Sequence, residues 1–256
     1  MLYVTYKDAS IQQFNNFTDI IRLKDNIKLN IIGLNCYRNQ LAELPKEIGQ
    51  LINLTVLVCH SNKLTELPKE IGQLVNLTHF DCYSNQLAEL PKEIGQLVNL
   101  TNFDCSHNKL TKLPKEIGQL INLTNFNCSQ NELTELPKEI GQLVNLTELV
   151  CHSNKLTELP KEIGQLIDLT QFDCSHNTLR DLPKEIGQLI DLQFVFCDHN
   201  TLTELPIEII NCINLIVLKY ENNEIVMNPI IQSFINRDGN EHYNILYNDG
   251  QNAHIG

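Results

Sequence analysis

Basic residues are scarce in this sequence. Its 256 residues include 19 lysines and arginines against 31 aspartates and glutamates, which gives a formal net charge of −12. Nucleic acids and anionic membranes both attract cationic surfaces, so this balance argues against either of them as the main partner. The sequence also lacks an apolar run of about 18 residues, the length that a membrane-spanning helix requires.

Secretory features are missing from the start of the sequence. Residues 1–8 contain no basic stretch followed by an apolar one, so we expect no signal peptide. We also find no linker and no low-complexity segment, and an apolar content of 42% excludes wholesale disorder. The expectation is therefore one folded domain in the cytoplasm.

What the sequence does contain is a repeat of 23 residues. Nine prolines keep this spacing, from Pro45 to Pro229. Eight of the nine cysteines keep it as well: Cys36, Cys59, Cys82, Cys105, Cys128, Cys151, Cys174 and Cys197. Nine asparagines follow the same step: Asn39, Asn62, Asn85, Asn108, Asn131, Asn154, Asn177, Asn200 and Asn223. A fixed period of this length predicts a solenoid, in which each unit packs against its neighbours.

Each unit divides into a strand half and a turn half. In the unit over 54–76, Leu57 and Cys59 alternate with Val56, Val58 and His60, which predicts a strand with one buried face. Identical units place these strands parallel, about 4.8 Å apart. Pro68 suits the start of a short helical turn, and we expect Gly72 to permit a tight or left-handed backbone.

The unit over 54–76 resembles the leucine-rich repeat, L-x-x-L-x-L-x-x-N-x-L, with cysteine in place of the third leucine. The resemblance extends over 31–225 in nine units. It implies an α/β repeat fold, a right-handed solenoid or horseshoe with a parallel concave β-sheet and short 3-10 or helical convex turns. Segments 1–30 and 226–256 are then the N-terminal and C-terminal caps of the same domain. The regular L-P-K-E-I-G-Q-L run is similar to repeats in bacterial proteins and in large DNA viruses of amoebae. The sequence over 247–254 resembles the viral kind more closely, which implies a role at a host–pathogen interface in the cytosol of an infected cell.

Both caps carry secondary-structure patterns of their own. At the N-terminus we predict a strand over 2–6 and then a helix from about Asp8 or Ser10, with apolar residues Ile11, Phe14, Phe17 and Ile21. At the C-terminus we predict a helix opening at Pro229, with Ile230, Ile231, Phe234 and Ile235 buried. A turn at Asp238-Gly239 and a strand through Tyr243, Ile245 and Tyr247 are expected to follow.

The repeated asparagines and cysteines are interpreted as structural. The asparagine carboxamide can bond backbone groups where the chain leaves each strand. Disulfides between the cysteines would need an oxidising compartment and a closer approach than the strand spacing gives. Metal ligation would need clustered thiolates, whereas these thiols are 23 residues apart. We therefore predict buried, inert thiols, with no metal site and no cofactor.

Function is expected where the repeat varies. The third, fifth, seventh and eighth positions of each unit face outward from the concave sheet, and we call this surface the variable face. Its candidate partner-binding residues form an aromatic and basic group, an acidic group and an apolar patch with a polar rim. The first group is Tyr37, Arg38, His60, His79 and Tyr83. The second is Asp81, Asp104, Glu148 and Asp173, and the third is Phe194, Phe196, Asp198, His199 and Lys219.

Each group has alternative interpretations. The aromatic group can be simply solvent-exposed, and the phenylalanines can contact a C-terminal cap that folds back. Asp81 and Asp104, about 5 Å apart, can share a proton, bind a cation or meet a basic side chain of a partner. His176 and His199 lie near Asp198, where a surface metal site and a pH-dependent contact are both open; we favour the second.

These features favour a non-enzymatic protein-interaction module. An acid–base enzyme would need a closed pocket, which an open sheet does not supply, so we predict no catalytic activity. The acidic columns favour a protein partner with a basic or mixed surface. Acidic, cysteine-rich leucine-rich repeat proteins that inhibit basic enzymes resemble this chain in architecture and charge. Bacterial effector ubiquitin ligases, which join such repeats to a catalytic domain, suggest an adaptor acting in trans as the alternative.

Overall fold

The computed structural model of the protein describes residues 1–236. The strands are β1 Leu2–Tyr6, β2 Ile11–Phe14, β3 Ile31–Asn35, β4 Val56–Val58, β5 His79–Asp81, β6 Asn102–Asp104, β7 Asn125–Asn127, β8 Glu148–Val150, β9 Gln171–Asp173, β10 Phe194–Phe196 and β11 Val217–Lys219. The 3-10 helices are Lys46–Gln50, Lys69–Gln73, Lys92–Gln96, Lys115–Gln119, Lys138–Gln142, Lys161–Gln165, Lys184–Gln188 and Ile207–Asn211. The α-helices are α1 Phe17–Ile21, α2 Asp25–Lys28 and α3 Pro229–Ile235. The turn predicted at Asp238-Gly239 and the strand predicted through Tyr243, Ile245 and Tyr247 lie outside the described residues.

The strands form one open sheet, in which β3 to β11 are parallel neighbours in sequence order. Residues 23 apart in the sequence pair directly, as Leu57 does with Phe80 and Phe80 with Phe103. At the N-terminal edge, β1 runs antiparallel to β3, and β2 runs antiparallel to β1. The predicted parallel sheet with regularly spaced 3-10 turns is therefore confirmed.

The core is a set of stacked columns. The central residue of each repeat strand points inward, and three successive phenylalanines stack there: the ring centroids of Phe80 and Phe103 are 5.4 Å apart, and those of Phe103 and Phe126 are 5.6 Å apart. All nine cysteines are free and buried beside these columns. Burial raises the pKa of the Cys128 thiol to about 12, so the thiol stays protonated and unreactive.

Each 3-10 helix begins after a proline, and the first seven pack on the 3-10 helix of the next repeat, while the eighth packs on α3. The glycine in this helix has a steric reason: a Cβ atom at Gly118 would lie 2.6 Å from the carbonyl oxygen of Glu139 in the next repeat. The left-handed backbone that we expected as one option at Gly72 occurs instead at the eighth position, for example at Ser61, Ser84 and His107. Glycine thus permits close packing of the turns.

The repeated asparagines form a hydrogen-bonded ladder. Asn131 Nδ2 donates to the carbonyl oxygens of Cys105, Cys128 and Ser129, each at 3.1 Å. Its Oδ1 accepts from the backbone N–H of Leu110 at 3.0 Å. One buried carboxamide therefore ties the strand ends of two successive repeats together.

Three local predictions are wrong: the start of the N-terminal helix, the burial of Ile230 and the exposure of the seventh position of the repeat. Ile11–Phe14 is a strand, because Asp8, Ala9 and Ser10 close a hairpin turn in which Tyr6 N donates to Ser10 O at 2.9 Å. The helix begins only at Phe17, after the N-cap Asn16. At the C-terminus α3 starts at Pro229 as predicted, but Ile230 is exposed, since Ile231 and Ile235 form the buried face.

The third wrong prediction concerns the variable face. Ser106, Ser129 and Ser175, at the seventh position, are buried instead of facing outward. Their backbone N–H groups bond the aspartate or asparagine two residues earlier, as that of Tyr83 also does, so the short side chain and not this turn distinguishes the buried serines. Larger side chains at the same position, such as His60 and Tyr83, stay partly exposed.

Among residues 1–236 no helix is long and apolar enough to cross a bilayer.

Candidate functional site

Three carboxylates of the variable face share one shallow groove of about 300 Å³, which we call the acidic groove. Its polar lining comes from β5 to β8: His79, Asp81, Asn102, Asp104, Asn125, Asn127 and Glu148. The parallel pairing brings these residues together, because equivalent positions of successive repeats lie on adjacent strands. Of the predicted acidic group, Asp173 lies outside this groove, on β9.

Asp81 and Asp104 pair directly across β5 and β6. One carboxylate oxygen of each is held by a backbone N–H: Asp81 Oδ1 by that of Tyr83 at 3.2 Å, and Asp104 Oδ1 by that of Ser106 at 2.8 Å. Burial, together with the charge of Asp104, raises the pKa of Asp81 to about 6, against the opposing effect of the Tyr83 bond. The ionised form of Asp81 is therefore destabilised in the fold, and a positive charge nearby would stabilise it.

A chain of amides crosses the groove and ends at Glu148. Asn102 Nδ2 donates to Asn125 Oδ1 at 3.3 Å, and Asn125 Nδ2 donates to Glu148 Oε2 at 2.8 Å. From the other side, Gln171 Nε2 donates to Glu148 Oε1 at 3.3 Å. A carboxylate only accepts hydrogen bonds, so Glu148 requires both neighbouring amides to donate to it through their NH₂ groups. These two bonds hold the Glu148 side chain in place.

The aromatic group forms a stacked column at one end of the groove. The ring centroids of His60 and Tyr83 are 4.4 Å apart with near-parallel planes, and Tyr37 lies 5.3 Å from His60 on the other side. Burial, and then the nearby Arg38, lower the pKa of His60 below its usual value, so this ring is neutral at pH 7. His60 Nε2 lies 4.0 Å from Asp81 Oδ2, which connects the column to the acidic groove.

The third predicted group lies at the other end of the sheet. Phe194 and Phe196 are half-buried, and the Lys219 ammonium lies 5.3 Å from the centroid of the Phe196 ring, a cation–π contact. Asp198 Oδ2 lies 2.9 Å from His199 Nδ1. The structure therefore separates the predicted residues into two regions, since β9 lies between the acidic groove and this patch.

Sequence reasoning overlooked an aliphatic row outside the variable face. Its members share one position of the repeat and are all exposed: Ile52, Val75, Val98, Ile121, Val144, Ile167, Ile190 and Ile213. The signal is present in the sequence, since every one of these residues is valine or isoleucine. The row is too regular to distinguish one end of the solenoid from the other.

Comparison with known proteins matches this geometry. Residues 69–175 match the family described as leucine-rich repeat region. A leucine-rich repeat protein of Leptospira interrogans is 44% identical and superposes with a TM-score of 0.76, over 80% of this chain and 52% of that one. The chain is a leucine-rich repeat protein.

Two receptors share the fold at lower identity. The plant peptide hormone receptor RGFR1, solved in complex with RGF2, is 26% identical with a TM-score of 0.61, over 79% of this chain and 38% of that one. A TDR receptor is 24% identical with a TM-score of 0.63, over 82% and 41% of the two chains, and shows the fold alone. This leucine-rich repeat protein thus spans about half the length of the leptospiral protein and less of each receptor. The curated proteins gave no match.

Replacing Asp81 with asparagine is expected to stabilise this leucine-rich repeat protein at neutral pH. The pKa of Asp81 is raised from 3.8 to about 6 in the fold, so its contribution to stability is present below about pH 4 and is lost as the pH rises through 6. Asparagine does not ionise, so the stability of the variant does not fall in this pH range. Asparagine also keeps the bond to the backbone N–H two residues later, because Asn127 at the same repeat position accepts from Ser129 N at 3.1 Å. The free energy of unfolding at pH 7.5 should rise by about 1 to 2 kcal/mol.

Urea unfolding at several pH values between 4 and 7.5 measures this effect. Asp173→Asn is the matched control, because Asp173 occupies the same repeat position but pairs with Val150 and Phe196 on the adjacent strands. We expect the stability of Asp173→Asn at pH 7.5 to change less than that of Asp81→Asn. Equal stabilisation by both substitutions would contradict the explanation from burial beside Asp104.

Proposed function

We propose that this leucine-rich repeat protein binds a partner protein through its variable face, and that a basic segment of the partner lies in the acidic groove. The observation that carries the proposal is an uncompensated charge. Among residues 1–236, no lysine or arginine forms an ion pair with Asp81, Asp104 or Glu148. Lysine and arginine side chains are donors only, and match three carboxylates that only accept.

The neighbouring aromatic column supports a cationic ligand. Tyr37, His60 and Tyr83 present ring faces and edges beside Asp81, where an arginine guanidinium can stack while it bonds the carboxylate. A charged imidazole would repel such a ligand, but the lowered pKa of His60 keeps it neutral at pH 7. Tyrosine and arginine are also the residues that most often anchor protein interfaces.

The function is proposed to be binding without catalysis. The groove is shallow, and the carboxylate oxygens are engaged by amides and turn N–H groups in a fixed arrangement, which suits recognition. An inhibitor-like binder of a basic protein and an adaptor that acts in trans both use such a surface. A cytoplasmic location is supported by nine free, buried cysteines. The 44% identical leptospiral protein supports the bacterial part of the resemblance, while the giant-virus part, the host cytosol and the cap boundaries at 30 and 225 stay predictions.

A defined basic probe tests the proposal. Binding of a fluorescent oligo-arginine peptide, with oligo-glutamate of equal length as the negative probe, is measured by anisotropy at low and high salt. We expect the triple variant Asp81→Asn, Asp104→Asn, Glu148→Gln to bind oligo-arginine at least about tenfold more weakly, a loss near 1.4 kcal/mol. Binding to the wild type should weaken with salt.

A second triple variant separates the groove from general acidity. Glu66→Gln, Glu89→Gln and Glu135→Gln remove the same charge from exposed positions outside the groove. Affinity should then stay within about twofold of the wild type, because exposed charges are screened. Equal losses in the two triple variants would mean that only net charge attracts the probe. Phe194→Ala then reports whether the distant apolar patch also contacts a partner.

A further inference from the structure

Two histidines stack side by side at the eighth position of successive repeats. The ring centroids of His176 and His199 are 4.1 Å apart, and the planes differ by 14°. Both residues have a left-handed backbone, with φ of 51° and 52°. The turn after each strand therefore projects both exposed rings from the same side of neighbouring repeats. Stacked imidazoles at this distance place two nitrogen donors within reach of one ion.

Asp198 completes the group. The carboxylate oxygen Oδ2 lies 2.9 Å from His199 Nδ1, and the Asp198 side chain is only 17% exposed, whereas that of His199 is 45% exposed. One ligand atom each from His176, Asp198 and His199 lies within 4.8 Å of the other two. Zinc bonds to imidazole nitrogen and carboxylate oxygen at about 2.0–2.2 Å, so ligand atoms around one ion lie roughly 3 to 3.5 Å apart. A small rotation of the two exposed imidazole rings would bring the ligand atoms from within 4.8 Å of one another to the spacing that a bound zinc ion requires.

The second nitrogen of His199 has a partner that fits metal binding. Asn222 Nδ2 lies 3.0 Å from His199 Nε2. When Nδ1 binds a metal ion, the ring proton moves to Nε2, and the amide of Asn222 turns to accept it through Oδ1. Such a hydrogen bond on the far nitrogen orients metal-bound imidazoles in known sites. Asn222 is thus a positioning residue for His199.

We propose that His176, Asp198 and His199 form a binding site for a divalent transition-metal ion such as Zn²⁺. Two imidazoles and one carboxylate suit zinc, nickel, cobalt and copper better than magnesium or calcium, which prefer oxygen ligands. Three protein ligands leave coordination positions for water or for a side chain of a partner. The site lies beside the Phe194 and Phe196 patch and is independent of the acidic groove. Metal bound there would add a positive charge at this end of an acidic protein.

The chain contains its own control. His107 occupies the same repeat position as His176, has φ of 52° and is exposed. In the repeat after His176 the neighbouring residues are Asp198 and His199, whereas in the repeat after His107 the equivalent residues are Ser129 and Gln130, so His107 lacks these partner ligands. Gln130 adopts the same left-handed backbone, so glutamine is accepted at this position. His176→Gln, His199→Gln and His107→Gln are therefore equivalent changes that differ only in whether they remove a proposed ligand.

Titration of the metal-free full-length protein with ZnCl₂ in a calorimeter tests the site, with CoCl₂ absorption as a second measurement. We expect one strong equivalent of zinc in the wild type, and at least tenfold weaker binding after His176→Gln, His199→Gln or Asp198→Asn. His107→Gln should bind as the wild type does. The cobalt spectrum should lack the charge-transfer band of a thiolate ligand, because the cysteines are buried. Wild-type protein without a zinc equivalent, equal losses in His107→Gln, or a thiolate band would each overturn the proposal.

Discussion

Replacing Asn131 with alanine is expected to lower the free energy of unfolding by about 4 kcal/mol. The substitution removes four hydrogen bonds of one buried carboxamide. It leaves the N–H of Leu110 without its partner, whereas the carbonyl oxygens of Cys105, Cys128 and Ser129 each keep one other donor. An unsatisfied buried group costs about 1–3 kcal/mol, and each of the other lost bonds about 0.5–1.5 kcal/mol. Urea unfolding followed by circular dichroism measures the change.

An exposed asparagine of the same repeat region is the control for this prediction. Asn122 Nδ2 donates one hydrogen bond, to the Val98 carbonyl at 2.8 Å, on the surface. Asn122→Ala should therefore lower stability by at most about 1 kcal/mol. Comparable effects at the two positions would show that the ladder contributes no more than an ordinary surface bond.

Replacing Phe126 with alanine is expected to cost about 4 kcal/mol as well. The ring is 1% exposed and stacks on Phe103, with Leu149 at the equivalent position of the next repeat. Truncation of a buried phenylalanine removes transfer free energy and leaves a cavity, for a typical loss of about 3–5 kcal/mol.

Phe126→Leu separates packing from simple volume. Leucine already occupies this column at Leu57 and Leu149, so the surrounding columns accept its shape. We expect a loss of about 1 to 1.5 kcal/mol, measured by the same urea unfolding. A loss near that of Phe126→Ala would mean that the stacked rings, and not the filled space, stabilise the column.

The fold was largely predictable because it repeats. A period of 23 residues fixes which residues are neighbours, so the sheet, its parallel direction and the asparagine ladder follow from one unit. The N-terminal hairpin lies outside the period, and there the helical spacing of Ile11 and Phe14 was misleading. Residues Ile11–Phe14 instead form a strand that pairs with β1, and local apolar spacing does not record this pairing.

The positions of the candidate site residues were predictable, but their burial, pKa values and hydrogen bonds were not. The repeat frame places Asp81 beside Asp104, and His176 beside His199. Whether a side chain at the seventh position is buried depends on its size, as the buried Ser106 and the partly exposed Tyr83 show. The raised pKa of Asp81 depends on the burial of its own carboxyl group, and the hydrogen bond between Asn222 and His199 depends on the conformations of those two side chains.

The asparagine ladder has a further consequence for how such a chain can change in length. Every bond of Asn131 goes to its own repeat or to the one before it, so no contact of the ladder depends on the total number of repeats. Duplication or deletion of one 23-residue unit inside the array would restore the same bonds at the junction. Such a change would lengthen or shorten the sheet by about 4.8 Å. The distance between the acidic groove and the histidine pair is therefore a quantity that evolution or design can adjust in fixed steps.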